Sequence, residues 1–536
     1  MAREPHPGLS EIWAAKIAKL PPVTALPSLY NTLTRQVEPI VPVRAGEVGV
    51  YCCGPTVYDA PHAGHARSAL APDLLVRRLR SLGVKVKYVR NITDVDDKIL
   101  ERAARDGEEP LALSRRMATI YQEQIRASGC LAPDHEPRVS EHLPQICDIV
   151  TRLVEREAAY VVEMAPGVRD VYFAVRSFPG YGKLSRRKLD ELVAGARVET
   201  NAHKRDPLDF ALWKGAPAGE WGWESPWGLG RPGWHIECSA MCTHYLGQPF
   251  DVHTGGMDLI FPHHENEIAQ SEAAFPDHTP LARIWMHNGF LNVDKEKMSK
   301  SLGNFVTVSD VFERNDPEAL RMFFLSAHYR GPIQFDTEQL ADGRVVFPGV
   351  DEAERRVDHA YSALRRLGGM VDPGLTMPAK LGPELLGYRD ASNRALREAE
   401  GALDDDLNTP VALAALGELT RMGHELADTA TKKKKDAAFV AAAGAGAQFL
   451  LSAMYRIAGQ LGLFQCEPEA YAARTRARRL RLRGLTAEAI DAKLLERTAA
   501  RKAKDFAKSD AIRSELAALG VAVQDAGDKS DWTIEQ

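Results

Sequence analysis

Two short segments carry residues whose types and spacing suit phosphate chemistry. At positions 62–65 (His-Ala-Gly-His), two imidazoles flank a glycine that would let a ligand approach the backbone closely. At positions 297–301 (Lys-Met-Ser-Lys-Ser), two ammonium groups stand in a loop of small and polar residues. These groups donate hydrogen bonds to phosphate oxygens. The pair suits in-line displacement on a polyphosphate, which needs donors and positive charge rather than a nucleophile.

Four residues that are scattered along the chain have the side chains of a metal site. His263 and Glu267 are four apart, which on a helix places both on one face, within reach of a single ion. Cys53 stands directly before a Gly-Pro pair, and Cys238 ends a Trp-His-Ile-Glu-Cys sequence. Two thiolates, one imidazole and one carboxylate make a plausible tetrahedral zinc set.

Other residues compete for this assignment. Adjacent strand residues point to opposite faces, so Cys52 and Cys53 are not expected to share an ion, and Cys53 is preferred because it precedes the Gly-Pro pair. Cys242 lies one helical turn after the other candidate thiol and is the strongest rival, although cysteines at such a spacing are most often core residues. His253 and His264 are expected to hydrogen-bond to ligands rather than to bind the ion.

The hydrophobic pattern shows which elements would position these residues. Residues 48–53 are apolar and β-prone, residues 66–82 have helical spacing, and residues 84–90 alternate like a second strand. Strand, helix and strand in this order predict a parallel βαβ unit, in which ligands lie beyond the carboxyl ends of the strands. Four residues follow those ends, where a substrate amine or carboxylate would bind: Thr56, Asp59, Asn91 and Thr93.

The rest of the chain divides by pattern into further regions. Residues 109–207 predict mostly charged helical segments, inserted between two halves of the sheet, and strands are expected again at 250–253 and 284–287. Beyond 308 the pattern is helical and ends in a small α+β module. The predicted regions are an N-terminal extension (1–28), a first sheet half (29–108), an insertion (109–207), a second sheet half (208–307), a linking region (308–385), a helical bundle (386–483) and a C-terminal module (484–536).

The composition limits the class of protein. The chain has 536 residues, more than one core usually supports, and its net charge of −5, 45% hydrophobic residues and 26% charged residues are ordinary globular values. No run approaches the roughly 20 apolar residues that cross a bilayer, so no membrane span is expected. Seven scattered cysteines are not typical of a disulfide framework. Free thiols indicate a reducing compartment, so the protein is expected in the cytoplasm.

The two phosphate-binding segments resemble the HIGH and KMSKS signatures of class I aminoacyl-tRNA synthetases. Their flanks at 54–59 and 288–296 are similar to the family pattern as well, whereas Ala63 stands where isoleucine is usual. The four candidate metal ligands, with the His-His-Glu-Asn-Glu run at 263–267, narrow the resemblance to the cysteinyl-tRNA synthetase family. The resemblance extends from about residue 30 to the last residues.

The resemblance implies a fold, an activity and a set of site residues. The implied fold is α/β, a Rossmann-like parallel-sheet catalytic domain with a connective insertion, followed by an all-α helical bundle and a small C-terminal anticodon-binding module. The implied enzyme is an ATP-dependent cysteine–tRNA ligase that uses L-cysteine, ATP with Mg²⁺ and cysteine tRNA. By matching positions, catalysis is assigned to His62, His65, Lys297 and Lys300. ATP binding is assigned to these four residues together with Gly64, Gly256, Asp258 and Ser299. Substrate binding is assigned to Gly54, Thr56, Thr93 and Trp234, and the binding of one zinc ion to Cys53, Cys238, His263 and Glu267.

In this family the zinc ion is understood to bind the sulfur of the substrate. Zinc lowers the pKa of a bound thiol and favours thiolate sulfur, whereas the hydroxyl of serine is a poor ligand at neutral pH. An apolar pocket could not separate two near-isosteres nearly so well. No editing domain would then be needed, and the sequence offers no candidate for one.

The resemblance also implies contacts with RNA, made by a monomer. Region 308–385 would support the acceptor stem, and six arginines between positions 474 and 483 would contact phosphates near the anticodon. Four more basic residues follow them: Arg497, Arg501, Lys502 and Lys504. A solvated, salt-bridged helix face is the alternative interpretation of such a charge run.

Two other functions fit parts of the pattern. A related cysteine ligase that acylates an amino sugar would keep the same adenylation site, but such relatives lack the long tail at 386–536. An RNA-binding or regulatory paralogue without catalysis would not need the histidines and lysines of the two signature segments. These features favour the tRNA ligase.

The signature lysine gives a direct test of the nucleotide assignment. Replacing Lys300 by alanine removes the positive charge expected to bind the phosphates of ATP, so cysteine-dependent exchange of pyrophosphate into ATP should be abolished. Zinc content, measured by metal analysis of the purified protein, should be unchanged. Unchanged exchange in Lys300→Ala would refute the role given to this residue.

Overall fold

A parallel strand pair joined by a helix forms the first half of the fold. A computed structural model of the chain describes residues 25–188, 203–275, 279–293, 296–297, 306–341, 343–371, 382–526 and 529–534. Its first elements are β1 (Ser28–Asn31), β2 (Gln36–Pro39), β3 (Glu47–Cys52), α1 (Ala63–Ser81), β4 (Lys85–Arg90) and α2 (Asp97–Asp106). β3 and β4 run parallel and are connected through α1. The predicted βαβ unit is therefore confirmed.

The insertion contains a sheet that the sequence pattern did not predict. Its elements are α3 (Pro110–Ala127), α4 (Leu143–Glu155), β5 (Ala159–Ala165), β6 (Val168–Phe173), β7 (Phe210–Gly215) and β8 (Gly230–Pro232). β5 to β8 form a four-stranded antiparallel sheet in chain order. The expectation of mostly helical segments was wrong here, because the apolar pairs at 161–162 and 172–173 lie in paired strands. The domain boundary expected at residue 208 falls inside this sheet, between β6 and β7.

The second half completes a four-stranded parallel sheet. Its elements are α5 (Trp234–Leu246), β9 (Phe250–Gly256), α6 (Glu265–Ala274) and β10 (Ala282–Asn288). The strand order is β10-β9-β3-β4, and all the pairs are parallel. The strands expected at 250–253 and 284–287 are confirmed. Because all four strands run in one direction, the residues that follow β3, β4, β9 and β10 meet along a single edge.

A short linking region leads from the sheet into the helices. It contains β11 (Leu291–Val293), β12 (Glu296–Lys297), α7 (Val308–Arg314), α8 (Pro317–Leu325), β13 (Ile333–Phe335), β14 (Glu338–Gln339) and β15 (Val345–Val346). β12, β11 and β13 form a small sheet. Helix α8 is capped by Asp316, which accepts a hydrogen bond from the backbone N–H of Glu318 and precedes a proline at the first helical position.

A bundle of four long helices follows. A helical bundle was predicted, but its predicted bounds of 386–483 leave out the first of these helices. They are α9 (Pro348–Gly368), α10 (Pro383–Asp404), α11 (Thr409–Lys432) and α12 (Ala437–Leu461). By length and composition α12 could cross a membrane, with a mean hydropathy of 1.6, and this apolar stretch departs from the expectation that no such run exists. Within the described residues 56% of that stretch is buried. Burial of this kind is typical of a core helix in a bundle.

The C-terminal module has a core of its own. It comprises α13 (Pro468–Arg483), α14 (Ala487–Lys502), α15 (Phe506–Ala518), β16 (Val521–Ala526) and β17 (Lys529–Ile534). The two strands form an antiparallel hairpin. The helices pack on it through the buried side chains of Leu480, Ile490, Leu494, Ile512, Leu516, Val521, Trp532 and Ile534.

A buried ion pair ties the catalytic half to the bundle. Arg321 of α8 is 0% exposed and pairs with Asp73 of α1, which is also 0% exposed. Its Nε donates to the carbonyl of Leu461, the last residue of α12, at 2.6 Å. The helix that carries His62 and His65 at its start is thus fixed to the linking region and to the bundle.

Removing this guanidinium should destabilise the protein. Arg321→Ala leaves the Asp73 carboxylate buried without its main partner, which should lower the free energy of unfolding by about 3 kcal/mol. Denaturant unfolding of the purified variant measures this effect. The matched control is Arg80→Ala, because Arg80 pairs with Asp134 where both side chains are more than a third exposed; its cost should stay below about 1 kcal/mol. Equal losses in both variants would contradict the role of Arg321.

Candidate active site and metal centre

The structure brings the four predicted metal ligands together at the carboxyl edge of the sheet. Cys53 follows β3, Cys238 lies in α5, and His263 and Glu267 lie before and within the first turn of α6. The four ligand atoms lie within 4.8 Å of one another, and all four residues are buried. Cys53 Sγ is 3.5 Å from Cys238 Sγ and 3.3 Å from Glu267 Oε1, and His263 Nε2 is 3.1 Å from the same Oε1.

These separations and donor types fit a zinc ion. Zinc with bonds of about 2.0–2.3 Å in a tetrahedron holds neighbouring ligand atoms roughly 3.3–3.8 Å apart. The observed separations of 3.5, 3.3 and 3.1 Å lie within a few tenths of an ångström of that range. Two sulfur atoms with one imidazole and one carboxylate also match the ligand preferences of zinc.

The charges in the cluster favour a cation. Burial raises the pKa of Glu267, yet His253 and His263 hold it well below its usual range. Burial also opposes the thiolate form of Cys238, but hydrogen bonds with Cys53 and His263 lower its pKa to about 6. Burial and the neighbouring Cys238 and Glu267 raise the pKa of Cys53 well above its usual value. A divalent cation among these groups would favour ionisation of the second thiol.

The rival cysteines point elsewhere. Cys242 Sγ donates to the carbonyl of Ser239 at 3.4 Å, and Cys52 Sγ donates to the carbonyl of Cys53 at 3.5 Å. Neither sulfur belongs to the groups of ligand atoms that converge among the described residues. The geometric rivals are histidines instead of cysteines.

His253 and His264 form a second convergent group with Cys53 and Glu267. His253 Nε2 lies 2.9 Å from Glu267 Oε2, the carboxylate oxygen that does not face the thiols. His264 Nδ1 lies 2.8 Å from His287 Nε2. These hydrogen bonds support the predicted set, because one carboxylate oxygen remains for the ion while His253 holds the other.

Two further residues support the metal set: His235 was not among the predicted site residues, and Asn91 was predicted only as one of four residues that could bind a substrate amine or carboxylate. His235 Nδ1 lies 2.9 Å from His263 Nδ1, so it can accept that proton and direct His263 Nε2 towards the ion. Burial and the neighbouring His263 lower the pKa of His235 well below its usual value, which keeps it a neutral acceptor. Asn91 Oδ1 accepts from the backbone N–H of Gly54 at 2.8 Å and lies 3.7 Å from Cys238 Sγ. The sequence could have indicated both residues by their positions, because Asn91 directly follows β4 and His235 lies three residues before Cys238.

The predicted substrate-binding residues surround this cluster. Thr56 and Thr93 pair as neighbouring backbone segments beyond β3 and β4. A Cβ atom at Gly54 would lie only 1.6 Å from the carbonyl oxygen of Asn91, so the close approach of these segments requires glycine. The ring of Trp234 lies 4.4 Å from the ring of His263, and this tryptophan is 39% exposed. Trp234 thus contacts a metal ligand, and Gly54 directly follows one.

The predicted nucleotide-binding residues lie along the same edge. The rings of His62 and His65 stack at 3.7 Å where α1 begins, and the His62 backbone N–H donates to His65 Nδ1 at 3.2 Å. Gly64 belongs to the first turn of α1, whose free amides suit phosphate oxygens. Gly256 ends β9, and a Cβ there would lie 2.4 Å from Asp258 Oδ1.

The lysine segment is anchored to this site on both sides. The backbone of Lys297 pairs with Asn292 of β11. The carbonyl of Val306 accepts from the backbone N–H of Ala63 at 3.0 Å. Ser299 and Lys300 lie outside the described residues, so their assigned roles remain predictions.

The predicted basic RNA surface is largely occupied by carboxylates. In α13, Arg474 Nε donates to Asp316 at 2.7 Å, Arg478 pairs with Glu354, and Arg479 Nη2 donates to Glu354 at 2.8 Å. These guanidinium groups bind α13 to α8 and α9. The expectation that the whole stretch presents phosphate contacts was therefore wrong, because half of its arginines form the joint between the bundle and the C-terminal module.

A pair of cysteine variants separates the metal ligand from its rival. Cys238→Ser should lower bound zinc and the affinity for cysteine together, because a hydroxyl is a poor zinc ligand. Cys242→Ser should retain full zinc content, since its sulfur donates to the carbonyl of Ser239 and lies outside the converging ligand atoms. Metal analysis after gel filtration measures both; zinc loss confined to Cys242→Ser would reverse the assignment.

Two family models match this chain, one over its catalytic half and one over its C-terminal module. Residues 39–344 match the family model of the tRNA synthetases class I (C) catalytic domain, and residues 483–532 match the cysteinyl-tRNA ligase anticodon binding domain. The methionyl-tRNA synthetase of Mycobacterium tuberculosis, solved with methionyl-adenylate, has the same fold, with a TM-score of 0.58 at 16% identity over 82% of this chain and 94% of that one.

Curated relatives match almost the whole length. The cysteine–tRNA ligase of Anaeromyxobacter dehalogenans (strain 2CP-C) is 48% identical, over 95% of this chain and 99% of its own. The cysteine–tRNA ligase of Oleidesulfovibrio alaskensis is 46% identical, over 94% of this chain and 99% of its own. With its thiol cluster beside a class I nucleotide site, the chain belongs to the cysteine–tRNA ligase family of class I aminoacyl-tRNA synthetases.

Proposed function

We propose that the protein activates L-cysteine with ATP to form cysteinyl adenylate and pyrophosphate, and then transfers the cysteinyl group to the 3′ end of cysteine tRNA. The observation that carries this proposal is the convergence of two thiols, an imidazole and a carboxylate next to the helix that begins with His62. Cysteine activation requires a site that binds the thiol sulfur next to a site that binds phosphate, at one edge of the sheet. The names of the close relatives support it.

In the activation step the residues of this chain hold and neutralise ATP. The imidazoles of His62 and His65 and the amides of α1 would donate to phosphate oxygens. Lys297 and Lys300 would neutralise the departing pyrophosphate, and Mg²⁺ would accompany it. The carboxylate of cysteine attacks the α-phosphorus, and the bond from phosphorus to the pyrophosphate oxygen breaks.

Selection of cysteine would rest on the metal ligands and their supports. Cys53, Cys238, His263 and Glu267 would hold one zinc ion, which supplies a Lewis-acidic site that binds the substrate sulfur as thiolate. His253 and His235 would orient the carboxylate and imidazole ligands. Thr93 and Trp234 would contact the rest of the bound amino acid. Discrimination against serine then comes from ligand chemistry instead of pocket volume.

The C-terminal region supports tRNA as the acceptor. The matched anticodon-binding segment at 483–532 belongs to the part of the chain that an amino-sugar ligase would lack. The proposal includes a monomer that works in the cytoplasm, as the family resemblance implies. Cysteine tRNA is the proposed partner, recognised at its anticodon by the module that α13 joins to the bundle.

A comparison of two amino acids tests the proposal. With zinc-loaded protein, radiolabelled cysteine and total tRNA, acid-precipitable label should accumulate and require ATP. Serine at the same concentration should support pyrophosphate exchange at least about 10⁴-fold less well, because only the thiolate binds the metal strongly. Dialysis against a chelator should abolish both discrimination and cysteine exchange, and added zinc should restore them.

Two outcomes would contradict the proposal. Absence of tRNA charging with intact cysteine-dependent exchange would point to a different acceptor. Equal exchange with cysteine and serine would remove the metal from substrate selection.

A further inference from the structure

The guanidinium group of Arg67 has no role in the site described so far. This residue lies in the second turn of α1, two positions after His65, and it is buried, with 4% of its surface exposed. Within the part of the chain that the structure describes, no carboxylate pairs with it, and burial lowers its pKa to about 10, so it stays protonated at neutral pH. A buried cation without a carboxylate needs other acceptors.

Its acceptors are backbone carbonyls of two segments that are far apart in the sequence. Nη1 donates to the carbonyl of Phe290 at 3.1 Å. Nη2 donates to the carbonyl of Tyr329 at 3.4 Å and to that of Gly331. One guanidinium therefore holds the residue directly before β11 and the turn before β13. A planar fork of N–H donors can reach both segments at once, whereas a lysine ammonium is a single point of charge.

The two segments also pair with each other at this place. The backbone N–H of Ile333 donates to the carbonyl of Phe290 at 3.0 Å, and that of Gly289 donates to the carbonyl of Tyr329 at 2.8 Å. A Cβ at Gly289 would lie 2.3 Å from the carbonyl oxygen of Gly331, so this close approach requires glycine. Backbone hydrogen bonds thus hold β11 beside β13, and the guanidinium attaches the pair to α1.

This attachment bears on the lysine segment. β11 forms a hairpin with β12, in which Asn292 pairs with Lys297. At the other end of the segment, the backbone N–H of Ala63, in the first turn of α1, donates to the carbonyl of Val306 at 3.0 Å. Both ends of the lysine segment are therefore attached to the helix that begins with the two histidines. Arg67 makes the attachment at the end that carries Lys297.

Activation of cysteine depends on the distance between these elements. In the proposed reaction the histidines of α1 and the lysines bind the same polyphosphate, and the lysines neutralise the pyrophosphate as it leaves. A displacement of about 1 Å between such groups can cost about 100-fold in rate. Transfer of the cysteinyl group to tRNA involves no pyrophosphate, so the same displacement should have little effect on that step.

We infer that Arg67 is a positioning residue for the activation step, which holds the Lys297 hairpin at a fixed distance from His62 and His65. This inference rests on the proposed function and adds to it a residue that contacts neither cysteine, nor ATP, nor the metal ligands. The fork of the guanidinium, rather than its charge, performs this role, because its three acceptors belong to two separate segments.

Kinetics of the two steps test the inference. Arg67→Lys keeps the positive charge but loses the planar fork, so cysteine-dependent pyrophosphate exchange should fall about 100-fold. The KM for cysteine, the zinc content and the single-turnover rate of transfer from enzyme-bound adenylate to tRNA should stay within about twofold of wild type. The matched control is Arg77→Lys, because Arg77 of the same helix donates to the carbonyls of Gly129 and Gly459, which belong to neither segment. Its exchange should stay within about twofold of wild type.

A second variant reaches the same contact from the other side. Gly289→Ala places a methyl group against the carbonyl of Gly331, which should separate the two segments. It should therefore lose exchange and retain transfer, as Arg67→Lys does, and it tests the inference even where Arg67→Lys does not fold.

Three results separate this inference from its alternatives. Exchange close to wild type in Arg67→Lys would assign the effect of this residue to charge alone and overturn the inference. Equal losses of exchange and transfer would mean a general disruption of the site, which would overturn it as well. If the wild-type protein shows no cysteine-dependent exchange, it is the proposed function that fails.

Discussion

Two thiols and a carboxylate packed within a few ångströms of each other, away from water, are the constraint on which the site depends. Groups that can carry negative charge repel one another in a buried place unless positive charge stands among them. Here His253 and His263 contact the carboxylate of Glu267, and the separations of the ligand atoms leave room for one zinc ion. The fold brings these groups together because β3, α5 and α6 all end or begin at one edge of the parallel sheet.

The same edge also serves the nucleotide. Helix α1 starts directly after the segment that carries Cys53, so its free amides and the stacked His62 and His65 lie beside the metal ligands. The buried pair of Arg321 and Asp73 fixes α1 to the bundle. Arginines of α13 then join the C-terminal module to the linking region through Asp316 and to the bundle through Glu354. The two groups of ion pairs are connected through α8, which carries Arg321 and is capped by Asp316.

Periodicity, turn residues and short spacings in the sequence predicted the elements and residues that depend only on neighbouring positions. The β3-α1-β4 unit followed from period and turn residues, and the spacing of His263 and Glu267 indicated a shared helix face. The alternation of side chains predicted that Cys52 and Cys53 would not share an ion, and the Gly-Pro pair that follows favoured Cys53. The structure turns the two sulfurs in different directions.

Features that depend on distant partners were missed. The insertion sheet pairs β6 with β7 across a long stretch of sequence, and charged residues interrupt its alternation. The arginines of α13 have the pattern of an RNA surface, but only the fold shows that Asp316 and Glu354 stand opposite them. His235 was overlooked because its function depends on His263, which lies 28 positions away.

The account depends most on a zinc ion that binds the substrate sulfur directly. X-ray absorption spectroscopy at the zinc edge, on the zinc-loaded protein before and after addition of L-cysteine, measures this binding. The account predicts two sulfur ligands in the free protein, three with cysteine bound, and two when L-serine is added instead. A sulfur count that stays at two with saturating cysteine would contradict it.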